Sequence, residues 1–246
     1  MFLYGILFMF CIFNRMDNYL KGNSDYWGKG YSAPMVDHHT FRFYGRILKH
    51  EFNLPKNNTS LLDFGCGQGA AVNYFNSLKF NAYGVDISHA DISAAKIRYP
   101  HIADSFSLCD ADPSMHVDRY GGLEKYDVVT GFQAFYYFSK TRFNILMQKI
   151  YDQMNQGGIF FATMMGTKEE VFFENSSPTE DEWIRSVNFS NGRIKCKDYY
   201  MFFVKDEDDL CKKFEMFKPL HLGYYSAKFV TNEGSGFHYT FCGIKE

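Results

Sequence analysis

Leu61-Leu62-Asp63-Phe64-Gly65-Cys66-Gly67-Gln68-Gly69-Ala70, followed closely by Ala82-Tyr83-Gly84-Val85-Asp86-Ile87-Ser88, decides how this chain folds. A short apolar run breaks into three glycines spaced two apart, and a second apolar run ends in an acid. The pattern predicts a strand, a tight turn, a helix and a second strand with a carboxylate at its tip. In an open α/β sheet, a nucleoside-bearing ligand lies across the carboxyl ends of two such strands. The glycines let the backbone approach that ligand, and the acid accepts hydrogen bonds from a ribose diol. The spacing is not the G-x-G-x-x-G of a dinucleotide site. Asp63, at the end of the first strand, would repel a phosphate but receive an α-amino group. A zwitterionic amino acid joined to a ribose satisfies both features.

Strands and helices alternate outward from this stretch, which predicts a parallel sheet with right-handed crossovers. Strand one is read as Leu61–Phe64 with a helix from Gln68. Strand two is Asn81–Asp86, with Ser88 as N-cap of a helix through Arg98. Strand three spans Asp104–Cys109, and strand four Tyr126–Phe132. A helix over Thr141–Met154 is expected to close at Gly157-Gly158, opening strand five at Ile159–Met164. Residues 165–200 lack clear periodicity and read as an insertion. A helix starting at Asp206 runs to about Phe217. Two aromatic strands, Leu220–Val230 and Phe237–Ile244, form a hairpin that makes the last strand antiparallel. Ahead of the sheet, residues 16–59 read as a cap, and 60–246 as one domain.

The bulk numbers fit a single globular domain: 246 residues, 46% hydrophobic and 22% charged. A net charge of −2 without a basic run argues against nucleic acid and anionic membranes. Aromatic residues reach 19%, explained either by core filling or by an aromatic-walled cleft. The six cysteines show no CxxC pair and no metal-ligand spacing, so reduced thiols in a cytoplasmic protein and no bound metal are expected. Met1–Phe13 is apolar throughout but shorter than the roughly 20 residues of a membrane span. It lacks a positive leader and a cleavage site, and Met16 opens a polar segment. Residues 1–15 are therefore read as an upstream extension rather than an anchor.

The chain resembles the class I S-adenosylmethionine-dependent methyltransferases. Leu62–Gly69 resembles the first motif of that family and Gly84–Ser88 the second. Asp110-Ala111-Asp112 is similar to its acidic loop after strand three, Tyr126–Val129 to its fourth strand, and Met154–Gly158 to the turn before strand five. The resemblance implies a Rossmann-like, doubly wound α/β sheet of seven strands, mostly parallel with an antiparallel C-terminal strand. It implies S-adenosyl-L-methionine as cofactor, with Asp63, Gly65, Cys66 and Gly67 around the methionine part. Asp86 would hold the ribose, Ile87 the adenine face, and Asp110 with Ala111 the adenine edge. Phe132 and Gln133 would flank the sulfonium and the acceptor.

After strand four, Gly131–Phe138 lacks the Asn/Asp-Pro-Pro-aromatic sequence that the family uses on amide or base nitrogens. This points to a small-molecule acceptor, first a sugar or nucleotide-linked precursor of a surface polysaccharide, second a lipid or quinone. Should the acceptor be a hydroxyl, a general base contributes roughly 10²–10⁴-fold, and His38, His39 and His238 are the candidates. Tyr26 and Tyr136 are candidate aromatic contacts to substrate, and Arg42 a candidate grip on a carboxylate or phosphate. Two rival readings are a non-catalytic module of the same fold and a nicotinamide oxidoreductase, the latter disfavoured by the glycine spacing.

Overall fold

A computed structural model describes residues 19–29, 34–116, 119–191, 194–228 and 236–246, so the apolar segment 1–15 lies outside the described residues. The chain passes through helix α1 (19–27) and then α2 (His38–Arg42), which continues as wider π-helical winding over Phe43–Lys49. Next come β1 (Ser60–Phe64), α3 (Ala70–Ser77), β2 (Asn81–Asp86), α4 (His89–Arg98), β3 (Phe106–Leu108) and β4 (Tyr126–Phe132). Helix α5 (Lys140–Asp152) leads into β5 (Met154–Met165), then β6 (Ser176–Pro178), β7 (Arg185–Asn191) and β8 (Ile194–Met201). Last are α6 (Glu207–Lys213), β9 (Lys218–Tyr225) and β10 (His238–Ile244).

Seven strands form the main sheet in the order β3-β2-β1-β4-β5-β10-β9. Strands β1 to β5 are parallel, and β10 runs antiparallel between β5 and β9. Period-two alternation supplies both faces. Leu61, Val128 and Phe161 face one core with Phe75 and Ile92, whereas Leu62, Val129 and Phe160 face the other with Phe143 and Phe214. Most of the aromatic content is consumed here; Phe160 stacks on Phe217 at 4.3 Å between centroids.

Ser88 caps α4 as read, accepting the Asp91 N–H at 3.2 Å. Several boundaries differ, among them α6, which ends at Lys213 rather than about Phe217, and β9, which spans Lys218–Tyr225 rather than starting at Leu220. Residues 104 and 105 belong to the 3₁₀ turn Pro100–Ser105, leaving β3 only three residues long. Helix α5 stops at Asp152 and β5 starts at Met154, so Gly157-Gly158 lie inside the strand. There Gly157 takes the left-handed region at φ +74, and its N–H donates to the Lys245 carbonyl at 2.8 Å. The segment read as irregular, 165–200, holds a three-stranded antiparallel sheet, β6-β7-β8. Among the described residues no helix is long and apolar enough to cross a membrane.

Candidate active site

The chain leaves β1 through Gly65, Gly67 and Gly69, whose φ values are +74, +50 and +78. Only glycine adopts these angles without strain. At Gly65 a Cβ would also meet the Ala134 Cβ at 2.5 Å. The N–H groups of Gly65 and Cys66 donate to the Val85 carbonyl at 2.8 and 3.0 Å, folding the turn over the tip of β2. Asp86, at that tip, accepts the N–H of Gly67 and of Ser88, each at 2.8 Å. Burial raises the Asp86 carboxyl above the usual carboxylate range, and these backbone bonds oppose the rise.

Asp63 is 2% exposed and accepts the Thr130 hydroxyl of β4 at 2.8 Å. Burial pushes its carboxyl up to about 7, the Thr130 bond pulling down and Asp86 adding to the rise. Burial likewise raises the thiols of Cys66 and Cys109, which are therefore held protonated. At the tip of β4, Gln133 sits at φ +57 with its N–H on Thr163 Oγ1 at 2.8 Å. A non-glycine residue in the left-handed region beside a cavity is a strained backbone of the kind that clusters at functional sites.

These tips open onto a cavity of about 390 Å³. Of the residues read as cofactor contacts, Asp63, Gly65, Cys66, Gly67, Asp86, Ile87, Ala111, Phe132 and Gln133 all line it. Asp110 does not: its side chain is 60% exposed, 3.9 Å from His116. Asp112 is committed elsewhere, accepting Arg142 Nε at 3.0 Å and Nη2 at 2.8 Å. Of the three candidate bases only His39 lines the cavity. His38 is exposed. His238 is buried behind the wall, with Nδ1 on the Gly236 carbonyl at 2.9 Å and Nε2 3.4 Å from the Tyr136 hydroxyl. Neither Tyr26, Tyr136 nor Arg42 stands in the wall. Tyr26 packs on Trp27 and Tyr199, Tyr136 is fully buried, and Arg42 is exposed.

The opposite wall comes from residues that motif reading missed: Leu20, Asn23 and Trp27 of α1, Met35 and Val36 before α2, and Tyr137 and Phe138 after β4. Their signal in the sequence is only an apolar and aromatic helical spacing in the cap. Asn23 fixes α1 in place. Its Nδ2 donates to the carbonyls of Tyr137 at 3.0 Å and Tyr200 at 2.9 Å, while its Oδ1 accepts the Tyr200 N–H at 3.0 Å. Among the described residues, four aspartates line the cavity, Asp37, Asp63, Asp86 and Asp91, and no lysine or arginine does. The field is thus arranged for a ligand carrying positive charge, such as an ammonium and a sulfonium, and against a phosphate.

A family model described as a methyltransferase domain matches residues 36–200. A sphingolipid C9-methyltransferase of Komagataella phaffii is 25% identical over 131 residues, 49% of this chain and 26% of that protein, so the match spans about a quarter of the relative. The fold is similar to that of an S-adenosylmethionine-dependent methyltransferase from Clostridium acetobutylicum, with TM-score 0.57 and 18% identity over 85% of this chain and 92% of that one. It is also similar to the magnesium protoporphyrin IX methyltransferase of Synechocystis with bound S-adenosylmethionine, with TM-score 0.55 and 12% identity over 94% and 95% of the two chains.

Proposed function

This chain belongs to the methyltransferase-domain family, and on that footing we propose that the methyl group it takes from S-adenosyl-L-methionine goes to a small, uncharged acceptor with an apolar body, of lipid-like or quinone-like type. The observation that carries this reading is the composition of the acceptor wall. Leu20, Trp27, Met35, Val36, Tyr137 and Phe138 present apolar and aromatic surface beside the polar Asn23, Ser24, Asp37 and Thr40, and among the described residues no lysine or arginine accompanies them. With Asp63 and Asp86 taken up by the cofactor, the phosphates of a nucleotide-linked precursor would find no arginine or lysine to receive them among the described residues of the cavity. The match to a sphingolipid methyltransferase supports the same choice. The free thiols of Cys66, Cys109, Cys211 and Cys242 suit a reducing, cytoplasmic setting.

The cofactor, when bound, supplies a methyl group already activated on a sulfonium. What remains for the protein is placement. Asp63 offers a buried carboxylate to the ammonium of the amino-acid part, and Asp86 offers one to the ribose diol. Gly65 and Gly67 leave room for the backbone to approach. Phe132 and Tyr137 line the cavity, and an aromatic face beside a cationic methyl favours it by about 0.5–2 kcal/mol. Helix α1 forms part of the cavity wall and shields that side of a bound ligand from bulk water.

The test is incubation of the full chain with S-adenosylmethionine carrying a deuterated methyl and a total cell extract. The extract is then split into organic and aqueous phases for mass spectrometry. Label in the organic phase supports the reading; label confined to the aqueous phase overturns it.

A further inference from the structure

S-adenosylmethionine carries, besides its sulfonium, an ammonium and a carboxylate on one carbon, and the cavity wall treats these charges unequally. Four aspartates suit the positive groups, whereas among the described residues of the wall no lysine or arginine suits the carboxylate. The amides of the glycine turn are committed as well. The N–H groups of Gly65 and Cys66 are spent on the Val85 carbonyl, that of Gly67 on Asp86 and that of Gly69 on the Cys66 carbonyl. With the ammonium at Asp63, the carboxylate lies beside a buried acid and needs a donor of its own.

Thr40 has a donor to give. It lines the cavity and is 1% exposed. Its hydroxyl meets no hydrogen-bond partner among the described residues, yet Oγ1 is not one of the unpartnered side-chain atoms sealed from solvent, unlike His39 Nδ1 and Trp27 Nε1. The little surface that Thr40 keeps therefore includes its hydroxyl and opens on the cavity. A buried hydroxyl without a partner is rare in a folded protein and points to a ligand. The packing of α2 fixes where this hydroxyl lies. His39, on one side of Thr40, packs on Phe132 at the tip of β4, with ring centroids 4.8 Å apart. Phe41, on the other side, packs on Tyr74 of α3, also at 4.8 Å. Thr40 thus sits between the β4 tip and α3, beside the Gly65–Gly69 turn that joins β1 to α3. Asp37, the acid of the same segment, lies toward the hairpin, 3.8 Å from His39 Nε2 and close enough to act on Tyr225. The other hydroxyls of the wall are Tyr137, already bonded to Tyr136 and Tyr199, and Ser24 on α1.

We propose that Thr40 Oγ1 donates to the α-carboxylate of S-adenosylmethionine, so that α2 of the cap closes the amino-acid end of the cofactor site opposite Asp63. The two charges of the amino-acid part are then held by one neutral donor and one buried acid, without a cation in the wall. A hydroxyl bonded to a carboxylate gains more than one bonded to a neutral oxygen, and Thr40 is stiff at χ1, so little side-chain freedom is lost on binding. No bond forms or breaks at Thr40. It holds the amino-acid tail and, through the tail, the position of the sulfonium. The cap is thereby part of the cofactor site as well as of the acceptor wall. The proposal does not depend on which acceptor is methylated.

The test is calorimetry on the full chain with two ligands and needs no acceptor. S-adenosylhomocysteine carries the carboxylate. Its decarboxylated analogue, S-adenosyl-3-thiopropylamine, keeps the ammonium, ribose and adenine without it. T40V preserves the branched shape and removes the hydroxyl. It should weaken S-adenosylhomocysteine at least fivefold and leave the analogue within twofold of the parent, which also shows that the variant folds. T40S, which retains a hydroxyl, should stay within threefold of the parent for both ligands, and S24A within twofold. A smaller loss of S-adenosylhomocysteine affinity in T40V overturns the proposal. So does an equal loss for both ligands, the result a purely structural role would give, and so does a parent that binds neither. Asp63→Asn separates the ammonium reading from this one, because it should weaken both ligands alike. If it weakens neither while T40V still discriminates between them, the ammonium is not at Asp63 and the Thr40 contact stands.

Discussion

Gly67 donates its backbone N–H to Asp86 at 2.8 Å, and through this bond the glycine turn after β1 and the acid at the tip of β2 form one unit. The second oxygen of Asp86 is held by the Ser88 N–H at 2.8 Å. The carboxylate is therefore oriented before any ligand arrives, with its remaining lone pairs available to a diol. Asp86→Ala removes a charged acceptor and releases the Gly67 N–H. It should weaken S-adenosylhomocysteine binding by about 1–3 kcal/mol, measured by calorimetry. Affinity equal to that of the parent would take Asp86 out of the cofactor site.

Asp63 makes a pH-dependent prediction. Burial pushes its carboxyl up to about 7 in the free protein, against about 3.9 in an unfolded chain. Between those values the folded state holds a proton that the unfolded state has released. This contribution to stability therefore falls as pH rises from about 4 to 7 and is level above. Asp63→Asn cannot ionise and should be more stable than the parent by about 2–4 kcal/mol at pH 8, measured by urea unfolding. A ligand ammonium acts in the opposite sense by favouring the ionised form. Parent affinity for S-adenosylhomocysteine should thus rise by about tenfold per unit from pH 5 to 7. In the variant it should be weaker and flat. Undiminished binding by Asp63→Asn would mean that the ammonium sits elsewhere.

Legibility in the sequence followed the locality of the forces. The β1–α3–β2 unit was readable because turn chemistry, strand hydrophobicity and the ligand's needs fall within one short stretch, and Ser88 announced its helix by capping alone. Gly157-Gly158 misled because a glycine pair serves equally as a helix stop or as a left-handed kink inside a strand. There the pairing of Gly157 and Gly158 with Lys245 decides. The 165–200 sheet was hidden because its buried face is carried by scattered residues, among them Val187, Tyr199 and Met201, with polar neighbours between them. The acceptor wall was unreadable for a different reason. Trp27 and Tyr137 meet with centroids 5.5 Å apart only after the whole sheet has formed. Asp110 shows the limit of motif transfer, since its side chain turns to solvent while Ala111 beside it lines the cavity.

Acid stability should report the buried histidine of the hairpin. Burial lowers His238 to about 4, whereas an unfolded histidine titrates near 6.5. Below pH 6.5 the unfolded chain takes up a proton that the folded state refuses, so stability falls as pH drops toward 4. From this group alone the loss is about 2 kcal/mol by pH 5. His39, lowered to about 3, contributes in the same direction. His238→Gln should reduce the difference in unfolding free energy between pH 7 and pH 5 by about that 2 kcal/mol. An unchanged difference would show that His238 is already charged in the folded protein.

Asn23 offers the sharpest test of how the cavity is closed. One amide joins three segments: α1, the turn after β4 at Tyr137, and β8 at Tyr200. Asn23 is 4% exposed, so water does not replace the lost bonds when it is truncated. Asn23→Ala removes the bonds it makes to the carbonyls of Tyr137 and Tyr200 and to the Tyr200 N–H, a local cost of about 2–3 kcal/mol. Because α1 otherwise packs on the body through the rings of Tyr19, Tyr26 and Trp27, the cost should appear as local opening. Amide exchange over 19–27 is expected to accelerate by about 30–150-fold, with the β1 and β4 amides unchanged. Asn23→Asp should be no milder, because a carboxylate keeps the acceptor for Tyr200 N–H but sets negative charge against both carbonyls. If exchange over 19–27 matches the parent in both variants, α1 is held by ring contacts alone and the amide clamp is not what closes the cavity.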